Sequence, residues 1–119
     1  WRQFDSRSGV DQVEPEQYEL VYRNLIAKTR QQLDGLVLMT PYFLETNRED
    51  PMRVKMDAYG AITKKLAVEF DAIYVDTQAA FDRFLAYQST HSLCVDRVHP
   101  NGVGHMILAR AFLSAVGVI

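Results

Sequence analysis

The chain has 119 residues, of which 48% are apolar and 24% charged, and a formal net charge of −2 at pH 7. This length suits one small domain, and this composition is typical of a water-soluble globular protein. Because acidic and basic residues are interspersed, no basic face is expected to neutralise a phosphate backbone, and we expect no nucleic-acid partner. No run approaches the roughly 18 apolar residues of a membrane span, so no membrane association is expected either.

The first predicted element is an amphipathic helix over residues 15–33. Its apolar residues recur every three or four positions, and they are Tyr18, Val21, Tyr22, Leu25, Ile26 and Leu33. Pro15 suits the first turn of this helix, and Gly35 suits its exit. Residues 36–40 follow as an uninterrupted apolar run closed by Pro41, which predicts a strand covered on both faces.

The second half of the chain repeats this alternation. A polar loop leads to a second helical stripe over residues 51–70, and residues 72–76 form another apolar run that predicts a strand. A short helix follows, on which Phe81, Phe84 and Leu85 share a face, and a strongly apolar helix is predicted over residues 102–116. This order is typical of a doubly wound α/β sheet with parallel strands.

Two strands alone make a poor sheet, because both keep an exposed edge. We therefore expect further strands upstream or from a partner, and self-association of the isolated chain as a homo-oligomer. The sequence begins at Trp1, as though it were cut from a longer one, so any signal peptide would lie outside it. The single cysteine, Cys94, fits a reducing, cytoplasmic compartment and is more typical of a small buried residue than of a nucleophile.

The loop before the last helix carries the candidate chemistry. Asp96 precedes His99 by three residues, and Pro100 restricts His99 to extended backbone, which keeps its ring off the helix flank. A carboxylate at this spacing can hold the imidazole Nδ1–H, leaving Nε2 free to take a proton from a hydroxyl nucleophile. On spacing alone, however, an aspartate and a histidine beside a helix start are more typical of a helix cap with a solvated histidine.

The residues around this pair resemble a known family. The run DRVHPN at residues 96–101, followed by Gly104 and His105, resembles the last signature block of the SGNH (GDSL-type) hydrolases, in which the Asp and His of a Ser-His-Asp triad share one loop. The run WRQFD at residues 1–5 resembles the aromatic segment that follows the asparagine block of several members. The serine, glycine and asparagine blocks themselves are absent from the sequence.

The resemblance implies the flavodoxin-like α/β fold of that family, with residues 1–119 as the C-terminal part of a single domain and its N-terminal strands missing. It also implies a carboxylic-ester hydrolase in which His99 is the general base and Asp96 orients it. No cofactor and no metal are implied. Because no Gly-Asp-Ser block is present, the chain would supply only two triad members and would be inactive alone.

The substrate is weakly encoded in this family. The runs WRQFD and, at residues 40–43, TPYF resemble the branch of bacterial acetyl-xylan esterases, which implies a small ester or acetylated saccharide, while lysophospholipase, thioesterase and aryl-esterase activities stay open. Trp1 and Tyr42 are candidates for substrate contacts because aromatic faces stack on sugar rings and bury acyl chains, although core positions suit them equally. Val98, inside the Asp96–His99 loop, is the third candidate.

Other readings of the same residues remain. His91 is expected to be a solvated loop residue, and His105 to pack or cap on the last helix. A zinc site of His91, Cys94, Asp96 and His99 is conceivable from residue type, but its spacing fits no common ligand pattern. The absent nucleophile also keeps open a function of another class, that of a non-catalytic α/β binding or assembly fragment.

Overall fold

The computed structural model describes residues 13–119, so Trp1 and the WRQFD run lie outside the described residues. Four α-helices and two strands make up the described part. In chain order they are α1 (Pro15–Thr29), β1 (Val37–Met39), α2 (Pro51–Glu69), β2 (Ile73–Val75), α3 (Thr77–Leu85) and α4 (Gly102–Ala115), with short 3-10 turns at Arg30–Gln32 and Thr90–Ser92. None of the described helices is both long and apolar enough to span a bilayer.

The helices begin where the sequence offers a cap or a proline. Asp50 caps α2, because its side chain accepts from the backbone amides of Met52 and Arg53, and Asp76 caps α3 in the same way through Ala79. The first helix begins at Pro15, as predicted, but it ends at Thr29, four residues before the predicted end. Beyond Thr29 the chain tightens into a 3-10 turn, which is a common way for an α-helix to finish.

The two strands form a parallel pair, which confirms the predicted α/β class and strand direction. Val37 is in register with Ile73, and Met39 with Val75. One hydrogen bond continues the ladder at each end, from the amide of Ile73 to the carbonyl oxygen of Leu36 (2.8 Å) and from the amide of Thr40 to that of Val75 (3.0 Å). The carboxyl ends of both strands therefore lie at the same edge of the sheet, at Thr40 and Asp76.

Two apolar clusters hold the described elements together. The sheet core contains Ile26, Leu38, Leu66 and Ala67, and it joins β1 to α1 and α2. The loop core contains Leu44, Phe81, Leu85, Leu93 and Cys94, with Ile107 and Leu108 of α4 packed against it. Cys94 is buried, as predicted.

The prediction that the strand over residues 36–40 is covered on both faces is wrong for the described residues, and its neighbour β2 is also partly exposed. Met39 is 37% exposed and Ile73 is 41% exposed, whereas Leu38 and Val75 are buried. Helices α1 and α2 seal the face that carries Leu38, but the described helices leave Met39 and Ile73 accessible. Apolar content therefore indicated the strands correctly but overstated how completely these residues cover them.

A buried arginine links α2 to α3. Arg53 is 2% exposed, and its two terminal nitrogens donate to the carboxylate oxygens of Asp82 at 2.7 and 3.0 Å. Its Nε donates to Asp57 at 2.9 Å, and Nη1 also donates to the backbone carbonyl oxygen of Glu45 at 2.6 Å. One planar group with five donors thus fixes two helices and the loop that follows β1.

Replacing Arg53 by alanine is expected to lower the free energy of unfolding by about 3 kcal/mol, because Asp82 and the Glu45 carbonyl would lose a buried partner. Arg48 is a matched control: it also reaches Asp82, at 3.3 Å, but its side chain is 73% exposed. We expect Arg48→Ala to change the free energy of unfolding by less than about 0.5 kcal/mol. Urea denaturation of the two variants measures the difference, and equal effects would contradict the structural role of Arg53.

Candidate active site

The carboxyl edge of the sheet is held by a compact set of buried hydrogen bonds. The Thr40 hydroxyl accepts from the backbone amide of Thr77 at 3.0 Å, and the two hydroxyl oxygens are 2.9 Å apart. The side chain of Gln78 bonds the backbone of Phe43 twice, accepting from its amide at 2.7 Å and donating to its carbonyl oxygen at 3.1 Å. The loop that follows β1 is therefore fixed to the start of α3.

The loop between Leu93 and Asn101 is closed at its base. The backbone amide of Asn101 donates to the carbonyl oxygen of Leu93 at 2.7 Å, and its side-chain amide donates to that of Ser92 at 2.9 Å. The Asn101 Oδ1 accepts from the amides of Val103 and Gly104 and so caps α4. Since Asn101 is the cap, the helix-capping role that spacing alone favours for the aspartate in this loop is wrong.

Asp96 instead hydrogen-bonds to His99 through both of its carboxylate oxygens. Its Oδ1 accepts from the backbone amides of Val98 and His99 at 3.0 and 2.9 Å, which shapes the turn. Its Oδ2 lies 2.5 Å from Nδ1 of the His99 ring. Because an ionised carboxylate can only accept, the ring must donate Nδ1–H, and in the neutral form of the ring it is Nε2, on the far edge, that carries the free lone pair.

The electrostatics of the pair follow from these bonds. The hydrogen bond from the His99 ring, followed by those from the backbone amides of His99 and Val98, holds the pKa of Asp96 well below its usual range. The interaction is therefore present above the ordinary pKa of an aspartate and is lost only as the pH falls through the lowered value. The His99 side chain is 83% exposed and that of Asp96 is 35% exposed, so the ring projects from the loop.

No serine hydroxyl in the described part of the chain hydrogen-bonds to the His99 ring. Ser89 accepts from the backbone amide of His91 at 3.1 Å, and the Ser92 hydroxyl donates to the carbonyl oxygen of Ser89 at 2.6 Å. Ser114 is exposed on α4. Ser89 and Ser92 therefore hold the local turn at residues 89–92 together, and Ser114 faces solvent.

The predicted substrate contacts lie in different settings. Val98 is partly buried in the turn, where its amide bonds Asp96. Tyr42 packs against the loop core, with its ring centroid 4.7 Å from that of Phe81, and burial raises the pKa of its hydroxyl. The structure thus groups Val98 with the acid and the base, and places Tyr42 in the apolar layer beneath the loop.

The remaining titratable candidates are not brought together. His91 and His105 are exposed, and Cys94 is buried with its sulfur 3.8 Å from the Thr90 carbonyl oxygen. Within residues 13–119, no three histidine, cysteine or carboxylate side chains converge to hold a metal ion. The zinc arrangement that residue type alone allows is therefore not formed by these side chains.

Sequence reasoning missed the role of Arg97 and Glu45. Arg97 Nη1 donates to Glu45 Oε2 at 2.6 Å, and its guanidinium carbon lies 4.9 Å from the centroid of the Phe43 ring. The Arg97 carbonyl oxygen accepts from the amide of Leu44 at 3.0 Å. No local pattern points to an ion pair between residues 52 positions apart, because only the fold brings the two loops together.

The packing around Gly104 leaves no space for a side chain at this position. Gly104 is buried in the first turn of α4, and an added Cβ would overlap Cβ of Pro100 and lie 3.6 Å from Cε1 of Phe81. The pyrrolidine ring of Pro100 is rigid and cannot turn away. Any side chain at position 104 must therefore displace Pro100 and, with it, the adjoining His99.

We expect Gly104→Ala to lower the free energy of unfolding by about 1–3 kcal/mol, the usual cost of overpacking a closed contact. Gly102 in the same turn is the matched control, because nothing lies within 4 Å of a Cβ added there. Gly102→Ala is therefore expected to be neutral or slightly stabilising. Denaturant midpoints of the two variants provide the comparison. If Gly104→Ala were as stable as Gly102→Ala, the contact with Pro100 would not be tight.

The chain is similar to known esterases along nearly its whole length. It is 45% identical over 118 residues to an acetylxylan esterase of Geobacillus stearothermophilus, a match covering 98% of this chain and 54% of that enzyme. A solved structure of that enzyme superposes with a TM-score of 0.93. An α/β hydrolase from the metagenome of Lake Arreo, Spain, superposes with a TM-score of 0.94 at 45% identity, over 99% of this chain and 55% of the other. No protein-family model matches the chain.

These matches confirm the predicted resemblance to acetyl-xylan-esterase-like hydrolases, and the chain spans about half the length of the relatives it matches. Other solved structures of the Geobacillus enzyme are catalytic mutants in which alanine replaces a serine, an aspartate or a histidine. In that enzyme the aspartate and the histidine are three residues apart, and the serine lies far upstream near the N-terminus.

Proposed function

We propose that this chain, which is 45% identical to an acetylxylan esterase, carries the acid and base of a serine esterase of the SGNH type, and that residues 1–119 are one part of a single hydrolase domain. The observation that carries the proposal is the contact between Asp96 Oδ2 and His99 Nδ1. That contact sets the tautomer that a general base needs, and the exposed ring is accessible to a hydroxyl group.

The reaction proposed is acyl transfer in two steps. His99 Nε2 takes the proton of a serine hydroxyl as the oxygen attacks the ester carbonyl, and it returns that proton to the departing alcohol. In the second step Nε2 takes a proton from water as the water oxygen attacks the acyl-enzyme, and it returns that proton to the serine oxygen as the carboxylic acid is released. Asp96 stabilises the imidazolium that forms in both steps and keeps its own charge, as its lowered pKa favours.

Two features of the relatives support these roles. The catalytic aspartate and histidine of the Geobacillus enzyme have the same spacing as Asp96 and His99. Its catalytic serine lies farther upstream of that aspartate than Trp1 lies upstream of Asp96, which supports a nucleophile outside residues 1–119. We therefore propose that this chain contributes two members of the triad and that the nucleophile and oxyanion donors come from other residues of the full-length protein.

The proposed substrate is an acetylated saccharide of the xylan type. The Geobacillus enzyme, at 45% identity, is described both as an acetylxylan esterase and as an acetyl-xylooligosaccharide esterase, and its fold coincides with that of this chain. Tyr42 and Trp1 remain proposed as contacts for the sugar or the acetyl group.

The test is release of acetate by the full-length protein from acetylated xylo-oligosaccharides, with p-nitrophenyl acetate and p-nitrophenyl octanoate as reporters of acyl length. We expect acetate release and a strong preference for the acetyl over the octanoyl ester. A protein that releases neither acid would contradict the proposal and favour the non-catalytic binding fragment. Equal turnover of both esters would retain the esterase but remove the acetyl specificity.

A further inference from the structure

The turn that joins Asp96 to His99 contains an unusual backbone conformation. Arg97 has φ of +65°, which places an L-residue in the left-handed region. A long side chain in this region is uncommon and is retained where the surrounding structure determines it. The left-handed backbone at Arg97 turns the chain back, so that the amides of Val98 and His99 reach Asp96 Oδ1. The geometry of the Asp96–His99 contact therefore depends on Arg97.

The groups that hold Arg97 all come from the loop after β1. Its carbonyl oxygen accepts from Leu44, its guanidinium pairs with Glu45 at 2.6 Å and lies over Phe43, and Nη1 is 3.6 Å from a carboxylate oxygen of Asp50. The backbone carbonyl of Arg97, its positive charge and the face of its guanidinium group therefore each have a partner in this loop. Three of these contacts involve consecutive residues, so this short segment acts as a single receptor for Arg97.

The segment at residues 43–45 that holds Arg97 is itself fixed by hydrogen bonds from other parts of the fold. Glu45 Oε1 accepts from the backbone amide of Asn47 at 2.9 Å, so Arg97 meets a carboxylate whose other oxygen is already held. The Glu45 carbonyl accepts from buried Arg53, and Gln78 clamps the backbone of Phe43. The bond from Asn47, with help from Arg97, also keeps the pKa of Glu45 below its usual range. Arg97 therefore docks against a rigid surface.

We propose that Arg97 is a positioning residue, which holds the Asp96–His99 turn in its productive shape by docking on Glu45 and Phe43. This inference rests on the proposed function, because it assigns a role within the same site. Arg97 touches neither reacting atom, and it acts through the backbone of the turn. Its loss is expected to let the turn relax, so that the Asp96 carboxylate holds the His99 ring only part of the time.

The experiment compares Arg97→Ala, Arg97→Lys and Glu45→Gln in the full-length protein, with Arg48→Ala as the control for loss of a loop arginine. We expect Arg97→Ala and Glu45→Gln each to lower kcat on the order of tenfold with KM unchanged, and the double variant to lose little more than either single one. Arg97→Lys should recover part of the loss, since it keeps the charge but not the planar group. Arg48→Ala should keep wild-type kcat.

The nitrogen chemical shifts of the His99 ring give a readout independent of activity. The wild type should show the Nδ1–H tautomer, and Arg97→Ala and Glu45→Gln should show a mixture of tautomers. If Arg97→Ala does not fold, Glu45→Gln and Arg97→Lys carry the same test. Variants that match Arg48→Ala in kcat and in ring shifts would overturn the role of Arg97, as would a fall in kcat with unchanged ring shifts. Loss of acetate release in the wild type would remove the proposed function but leave the ring shifts as a test of positioning.

Discussion

Replacing His99 by alanine in the full-length protein is expected to lower kcat on p-nitrophenyl acetate by about 10⁴-fold or more, with little change in KM. The alanine removes the proposed general base of the reaction, and the Asp96 carboxylate that remains has a lowered pKa and is therefore a poor acceptor for the proton of a hydroxyl nucleophile. Binding of the ester does not depend on that proton transfer, so the loss should fall on kcat. Because the ring is 83% exposed in the described structure, the variant is expected to fold with nearly unchanged stability.

The other two histidines are the controls for this experiment. His91 and His105 are exposed and lie outside the turn that Asp96 forms, so alanine at either position is expected to keep kcat within about twofold of the wild type. Steady-state kinetics with thermal melting of all three variants separates loss of chemistry from loss of fold. Undiminished turnover by His99→Ala would end the esterase assignment of this loop. Equal losses in all three variants would show a general effect of removing an imidazole.

Replacing Asp96 by asparagine is expected to lower kcat by about 10⁴-fold, although the change is nearly isosteric. An asparagine oxygen can still accept from the amides of Val98 and His99, so the turn should persist. The side-chain NH₂ group would then face His99 Nδ1. Because this NH₂ group can only donate, it can pair with Nδ1 only when Nδ1 carries no proton. The ring would have to carry its proton on Nε2, and that nitrogen could no longer serve as a base.

Asp96→Ala and Asp96→Asn together separate the two tasks of this carboxylate. Alanine removes the turn and the ring contact, whereas asparagine removes only the correct tautomer. We expect similar losses of kcat in both variants, but a lower melting temperature in Asp96→Ala alone. Nitrogen shifts of the His99 ring should show the Nε2–H tautomer in Asp96→Asn. An Asp96→Asn variant with wild-type kcat would mean that the aspartate does not select the tautomer.

The sequence carried enough information for the elements and for the reactive pair. Short, mostly apolar runs indicated both strands, and helical stripes indicated the four helices within residues 13–119, although α1 ends four residues before its predicted end. The Asp96–His99 contact was predicted from the resemblance of residues 96–101 to the last signature block of the SGNH hydrolases. Spacing alone allowed the contact but favoured a helix cap, because a local turn can place the carboxylate on either partner.

What depends on distant parts of the chain could not be predicted. The docking of Arg97 on Glu45 and Phe43 requires that two loops meet at the carboxyl edge of the sheet, and nothing near either residue indicates this. The exposure of Met39 and Ile73 has the same cause, because burial of a strand depends on which elements cover it. The capping role of Asn101 was missed for a different reason. Both Asp96 and Asn101 precede α4 and have side chains that suit a helix cap, and only the path of the backbone decides which of them caps it.

The closure between Leu93 and Asn101 has a consequence for how this loop can vary between related proteins. Its two ends are tied to each other, one end is buried in the loop core, and the other starts a helix, so the number of residues between them is constrained. Insertions and deletions should be rare in this loop, whereas substitutions at Val95, which is 95% exposed, should be frequent. The segment therefore has a fixed length but an exposed surface. Related proteins should differ in the residues that occupy this loop more often than in the number of those residues.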